Sequence, residues 1–535
     1  MKITGRVLIP CAMAVAGLFA AFGPLLASGL SRMQVDKGDT RHLNYVLEHA
    51  YRWTRGQPPH RDLWSPPFFY PEENTAAYSE TLFGVVPFYA PWRWIGLEPD
   101  TALQLWMLTV SLLNFGAFHL FLRRCLGLGS VAAASGAFLF AFGSVRNVQI
   151  GHQHLLPHFF TVTALIACVG VFRPETTPAS RRSWILAFFA SLVAQIYAGF
   201  YLAWFLGLGI ALALLGTLLV PESRRRLSGI VRSHALVLAV SAAVSAAAVW
   251  PLLSHDLAAA RTVGRREFEG VVPFLPAPAA WLNLGPSSWL YGGTTSWPVF
   301  RALERLEWEK RLGLGIVTPL LIAWGLGAER ARPGVRVLLL ASLSAVALCT
   351  PFPGGWVPWR LVFDWFPAGD AIRAVPRIAL LLLVPAGLGL AFCVERLAKS
   401  VSKPALVLVL VFVALEQGQT MPSYDKRQVR RHVAALASRM PSGCEAFFYS
   451  PVENRRQPWE THVDAMWVEL ATGVPTINGY SSNFPPGWMP LFDHAIQPDR
   501  PTDEPRLRAA LAEWMRRHGR SMERACWLEM KDAAP

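Results

Sequence analysis

MQVDKGDTRHLNYVLEHAYRWTR, residues 33–55, is the first polar stretch after a long apolar run, and its reading decides what kind of protein the chain makes. Leu43, Val46, Leu47, Ala50 and Tyr51 recur at helical spacing, while Arg41, His42, Asn44, Glu48 and Arg52 lie elsewhere around the wheel. The stretch therefore reads as an interfacial helix with one side resting on lipid. Asp39 stands where an N-cap stands, and Gly56 followed by Pro58 and Pro59 stops the helix. Two carboxylates, Asp36 and Asp39, are thereby held at a membrane surface.

Outward from this stretch, composition points the same way. The 535 residues are 53% hydrophobic and only 16% charged, the balance of a polytopic membrane protein. A net charge of +14 invites a nucleic-acid partner. The Lys and Arg residues instead form short clusters between apolar runs, the pattern that orients membrane proteins, so no nucleic acid is expected. The run at 7–30 follows Lys2 and Arg6, and its length and the absence of a convincing small-x-small cleavage site make it read as a retained first span. Further spans are expected at 102–122, 131–143, 156–171, 234–253, 313–326, 337–349, 378–394 and 405–415. Residues 184–220 are too long for one span and divide in two near Ala198 and Gly199.

The fold expected is an α-helical polytopic membrane protein of about eleven transmembrane helices. With every basic cluster inside, the first loop (31–101), the second long loop (254–311) and the C-terminal residues all fall outside. Residues 79–94, short and broken by proline, read as a second interfacial or re-entrant element. The organisation expected is a transmembrane domain over 1–420 and a small external α/β domain over 421–535. That domain has strands at 445–449 and 526–529 and helices near 465–472 and at 504–518. Cys444 and Cys526 each precede a strand, and in an oxidising exterior they either bridge neighbouring strands or stay as two buried thiols.

Ionisable residues are sparse in the spans and collect on the outer side. A transporter needs such residues near the bilayer midplane, whereas an enzyme acting on a lipid head group needs them at one interface. GDTRHLNYVLEHAYRW, FFYPEENTAAYSETLFG, GHQHLLPH and AIRAVPRIALLLLVPAGLGLA resemble the bacterial polytopic glycosyltransferases of the GT-C superfamily, of the type that depends on a polyprenyl-phosphate sugar. GVPTINGYSSNFPPGW is similar to segments of an envelope branch. The resemblance implies transfer of a sugar from a polyprenyl-phosphate carrier to an envelope lipid, glycan or protein acceptor, at the outer face of the inner membrane. The N-terminus is then cytoplasmic and the C-terminal domain periplasmic. It also implies that an aspartate heading a juxtamembrane helix in the first loop is the catalytic base or a metal-positioning group. Asp39 matches that position, with Asp36 in reserve; without the resemblance, Asp39 is a helix cap.

Glu80 is the next candidate acid, or alternatively a helix N-terminal charge favoured by the dipole. His152, His154 and His158 present a loose metal- or phosphate-binding spacing. No DxD accompanies them, so a divalent cation (Mg or Mn) is left open. Arg373 and Arg377, spaced i,i+4 around Pro376, share a helix face able to grip the carrier phosphate. Arg41 and Tyr197 are further substrate-side candidates. Asn478 and Tyr480 are the plausible acceptor contacts, although Asn478-Gly479 is also a turn dipeptide. Two rival readings are a transporter or flippase of a lipid-linked intermediate, and a non-catalytic assembly factor.

Overall fold

A computed structural model describes residues 2–301, 303, 306–452, 456–493 and 503–530. Each of the eleven expected spans coincides with a helix, because an apolar run in lipid can satisfy its backbone only within itself. Six are long and apolar enough to cross a membrane by length and composition: Val7–Ala27, Pro99–Cys125, Gln153–Phe172, Phe200–Leu219, Pro221–Val263 and Val375–Ser400. The bent pair Pro333–Cys349 and Pro353–Trp365, which turns through 91°, raises that to seven if it counts as one span. Ser130–Phe142, Val317–Ala328 and Lys403–Glu416 are shorter apolar helices. The division of 184–220 falls at Gly199, between Pro178–Ala198 and Phe200–Leu219.

The chain forms two compact units. The first comprises 1–26, 107–249 and 266–421. Its Ala379–Ser400 helix carries the PAGLGLA glycines, and they are used for close approach. A Cβ on Gly387 would stand 2.7 Å from Gly136 O, and one on Gly325 would stand 2.0 Å from Gly389 O. Backbones touching this closely replace side-chain interdigitation with van der Waals contact between small residues, the packing lipid favours. A separate cluster gathers Trp204, Phe205, Trp359, Val362, Ile372 and Ile378.

The second unit comprises 27–106, 250–265 and 422–535. Residues 31–101, expected within the first domain, thus pack with the C-terminal residues. Tyr45, Phe68 and Phe69 of the first loop share a core with Trp488, Leu507 and Trp514. Ala446–Pro451 and Ala525–Met530 pair in parallel, with Ala446 opposite Ala525. Pro458–Thr472 and Glu504–Arg517 are the expected helices, and Lys426–Ala437 is a third that the sequence reading missed. Cys444 and Cys526 are joined, with Cα atoms 5.7 Å apart and a sequence separation of 82. Closing so long a loop removes unfolded-state entropy equivalent to about 4.5 kcal/mol on the chain-entropy view. The Pro221–Val263 helix has 43 residues and is broken by a kink at His234, where the backbone leaves helical geometry. Its last turns, from Trp250, belong to the second unit.

Candidate functional site

The Asp39–Thr54 helix forms where expected but is not a lipid-facing raft. It is buried almost all round: Leu43 and Leu47 on the apolar face, and Arg41, His42, Asn44, Glu48 and His49 on the polar one. The polar face is covered because the second unit supplies a partner for each charge. Arg41 Nη1 donates to Asp464 Oδ1 at 2.6 Å. Glu48 accepts from Arg52 at 2.9 Å, Arg93 at 2.8 Å and the Tyr89 hydroxyl at 2.9 Å. Arg41 is therefore a buried structural cation rather than a substrate contact.

At the helix start, Gly38 occupies the cap position and Asp39 is the first helical residue. Asp36 Oδ1 accepts from Gly38 N at 2.7 Å, which folds its carboxylate back beside the helix end. Burial, and then the Asp39 charge, push Asp36 up to about 6. Tyr480 donates its hydroxyl to Asp39 Oδ1 at 2.7 Å, joining two residues singled out separately in the sequence. One turn on, His42 lies edge-on to the Tyr480 ring at 5.5 Å, and burial lowers it to about 4. The result is a half-buried carboxylate pair, one member oriented by a phenol and the other with a raised proton affinity, the preparation a general base requires.

Asn478 is corrected. It is fully buried, its Oδ1 accepts from Tyr449 N at 2.7 Å and its Nδ2 donates to Tyr449 O at 3.0 Å. Its amide imitates a strand partner beside Ala446–Pro451, which leaves nothing for an acceptor. Glu80 lies ahead of the Phe83–Val85 turn and the Val86–Trp94 helix rather than at the start of a re-entrant span. It has a neighbour the sequence reading missed, Asp256, whose carboxylate lies within electrostatic reach of Glu80. Asp256 belongs to the last turns of Pro221–Val263. Beside it, His255 stacks on Trp64 at 3.9 Å and bonds the Asn74 side chain at 2.6 Å.

The helix also carries a buried relay. His49 Nε2 faces Leu63 O at 3.1 Å, and because a carbonyl only accepts, that nitrogen holds the proton. His49 Nδ1 must then accept from His60 Nδ1 at 2.9 Å, leaving His60 Nε2 as an acceptor 3.3 Å from Glu469 Oε1. No hydrogen bond joins these two atoms, and burial favours the neutral form of Glu469. It raises the carboxyl to about 8. Its other oxygen accepts from Tyr45 at 2.6 Å, and the nearby charges are Arg52 and Glu48. Since Glu469 binds its proton more tightly folded than unfolded, the stability it contributes is complete below its ordinary range near 4.5 and lost as pH rises to about 8. The slope expected across that window is roughly 1.4 kcal/mol per pH unit. Melting temperatures of wild type and Glu469→Gln across this range test it; the glutamine amide keeps the bond from Tyr45 and does not titrate, so its curve should be flatter.

In the first unit, Arg377 and Glu309 form a buried pair at 2.7 Å. His154 Nε2 lies 3.3 Å from Arg377 Nη1, His152 Nε2 lies 3.9 Å from Glu309, and Arg377 stacks over the Tyr201 ring at 5.0 Å. Burial alone would raise Glu309, but Arg377 and His152 overcome it and hold the carboxyl down to about 2. Glu309 was missed because it sits in an irregular loop with no periodicity to mark it. Arg373 does not share a helix face with Arg377: it precedes the Val375–Ile378 turn, is exposed, and packs over Phe274 at 5.2 Å. Burial, and then the like charge of Arg373, lower Arg266, a second arginine the sequence reading passed over. Tyr197 spends its hydroxyl on Ala248 O at 2.8 Å.

The three histidines do not converge, since His158 Nδ1 bonds Arg146 at 2.9 Å instead. Among the described residues no three His, Cys, Asp or Glu side chains form a metal-holding group.

No protein-family model and no curated protein sequence matches the chain. Among solved structures, it is similar to the Archaeoglobus fulgidus oligosaccharyltransferase tethered to an acceptor peptide containing the NVT sequon. The match is 13% identical, spans 96% of this chain and 68% of that one, and has a TM-score of 0.54. The apo form of that protein matches at 12% identity, 89% and 65% coverage and a TM-score of 0.49. ArnT from Cupriavidus metallidurans in the apo state matches at 15%, 93% and 90%, and 0.37. The first of these likenesses shows the fold, which is the GT-C fold of polytopic membrane proteins.

Proposed function

We propose that the chain is an inverting membrane glycosyltransferase that moves a sugar from a polyprenyl-phosphate carrier to an envelope lipid, glycan or protein acceptor, on the outer face of the inner membrane. The observation that carries the reading is the Asp39 carboxylate at the head of its helix, oriented by Tyr480 and paired with Asp36. The GT-C fold supports it. Asp39 takes the proton of the acceptor hydroxyl as that oxygen attacks the anomeric carbon. The sugar–phosphate bond breaks on the opposite face, and its electron pair leaves with the carrier phosphate. Within the first unit, Arg373 and Arg377 are cationic groups of the kind a carrier phosphate pairs with. Arg373 is exposed, whereas an anion at Arg377 exchanges with Glu309.

The test incubates purified protein with polyprenyl-phosphate sugars and a panel of hydroxylated acceptors, with and without added Mg or Mn, and follows released carrier by mass spectrometry. Acceptor-dependent release is the expected result. No release with any donor, together with full in-cell activity of Asp39→Asn, sinks the proposal.

A further inference from the structure

YGGTTSWPVFR, residues 291–301, sets glycines and hydroxylated residues directly before an aromatic residue and a cation. In the first unit it folds as the turn Gly292–Ser296 and the short helix Pro298–Arg301. Thr295, Ser296, Phe300 and Arg301 line a half-open cavity with Asn283 and Glu307. Its volume is about 180 Å³, roughly ten times what one water needs, and nothing above uses it.

The lining combines an apolar wall with a polar rim. Phe300, 9% exposed, is the wall. Thr295 Oγ1 donates to Gly292 O at 2.9 Å, and Ser296 Oγ donates to Gly293 O at 3.3 Å. Each hydroxyl has spent its proton on its own turn, so towards a ligand its oxygen only accepts. Glu307 is gripped by Arg311, Oε1 by Nε at 3.0 Å and Oε2 by Nη2 at 2.6 Å, and it also accepts from Asn283 Nδ2 at 2.8 Å. That ion pair satisfies the carboxylate without drawing on Arg301, whose exposed guanidinium is a donor fork. A lipid tail would leave the hydroxyls and the fork unmet, and an inorganic anion would meet the fork but face the acceptor oxygens. A sugar ring has the matching surface: C–H groups on one face that pack on an aromatic ring, and hydroxyls around its edge that donate and accept. We propose that this cavity holds one pyranose ring of a saccharide substrate, with Phe300 under the ring, Thr295 and Ser296 accepting from its hydroxyls and Arg301 donating to them. The inference deepens the transferase reading and rests on it for the origin of the sugar, whereas the binding is tested without it.

The first experiment places full-length protein in lipid nanodiscs, free of glycoside detergent, and follows saturation-transfer NMR with the methyl glycosides of glucose, galactose, mannose and N-acetylglucosamine. At least one is expected to bind, and its affinity should fall about tenfold in both Ser296→Ala and Arg301→Gln. Both side chains are exposed, so the melting temperature should not move. Binding by none of the four overturns the proposal. So does equal binding in wild type and both variants, which puts the sugar elsewhere, and so does displacement by inorganic phosphate, which marks Arg301 as part of an anion site.

The second experiment measures transfer by the same two variants. The KM of the substrate whose ring fills the cavity should rise about tenfold, with the other KM level: a rise for the donor identifies a carrier-linked ring, a rise for the acceptor a glycan acceptor. Two unchanged KM values overturn the proposal, whatever happens to kcat. Should wild-type protein release no carrier, the transferase reading falls by itself, and glycoside binding alone decides the cavity.

Discussion

Asp39→Asn is expected to lower the turnover of sugar transfer by about 10²- to 10⁴-fold, the usual contribution of a positioned general base, with little change in melting temperature. Asparagine has the shape of aspartate, and its amide oxygen still accepts from Tyr480, so the helix start is preserved. What it lacks is a lone pair basic enough to take the acceptor proton. Tyr480→Phe should cost less, because it releases the carboxylate without removing it. The variant carries a second signature. The Asp39 charge is one reason Asp36 sits at about 6, so its removal should draw Asp36 down and shift the acid limb of any residual activity to lower pH. Turnover and its pH profile, measured beside a thermal melt, separate base loss from misfolding. An unchanged turnover would remove Asp39 from the chemistry.

Asp464→Ala is expected to destabilise the second unit by about 3–5 kcal/mol, the cost of breaking a buried ion pair from one side. Two guanidinium groups and an imidazole converge on this carboxylate: Arg41 at 2.6 Å, Arg456 at 2.7 Å and His432 at 3.1 Å. Burial alone would raise Asp464, but Arg41 and its companions hold it well below the usual carboxylate range. Its stabilising share is therefore present throughout the neutral range and is lost only in strong acid. Alanine leaves the Arg41 guanidinium 3% exposed with no counter-charge. Replacing both partners at once, as in Arg41→Met with Asp464→Leu, should cost much less than the single change, since two apolar side chains need no solvation. Denaturant unfolding followed by hydrogen exchange in Pro458–Thr472 reads both values. Equal losses in the single and double variants would show that packing, not charge, decides.

These results mark where sequence is sufficient. The apolar runs and the break at Gly199 were legible because lipid imposes a length and a backbone rule on every span. Asp39 and Tyr480 were each legible from their surroundings, a helix start and a polar turn. Their pairing was not, because 441 residues separate them. The same separation explains the misreading of Arg41. An amphipathic pattern implies that the polar face meets water, and only the fold shows that Asp464 and Glu469 cover it. Asn478 misled for a related reason: a residue that suits a turn also suits imitation of a strand. His42 carried a signal that went unused, one helical turn beyond Asp39 on the same side.

The Asp39 helix also has a place in time. Arg41 is synthesised 423 residues before Asp464. At ordinary elongation rates of 5–20 residues per second, that is a wait of roughly 20–85 s. Through that interval the helix has its charges but not their partners, and its aromatic residues lack the core they will join. The candidate base is thus assembled last although it is made first, and a chain that stops short of Tyr480 carries an Asp39 that nothing orients.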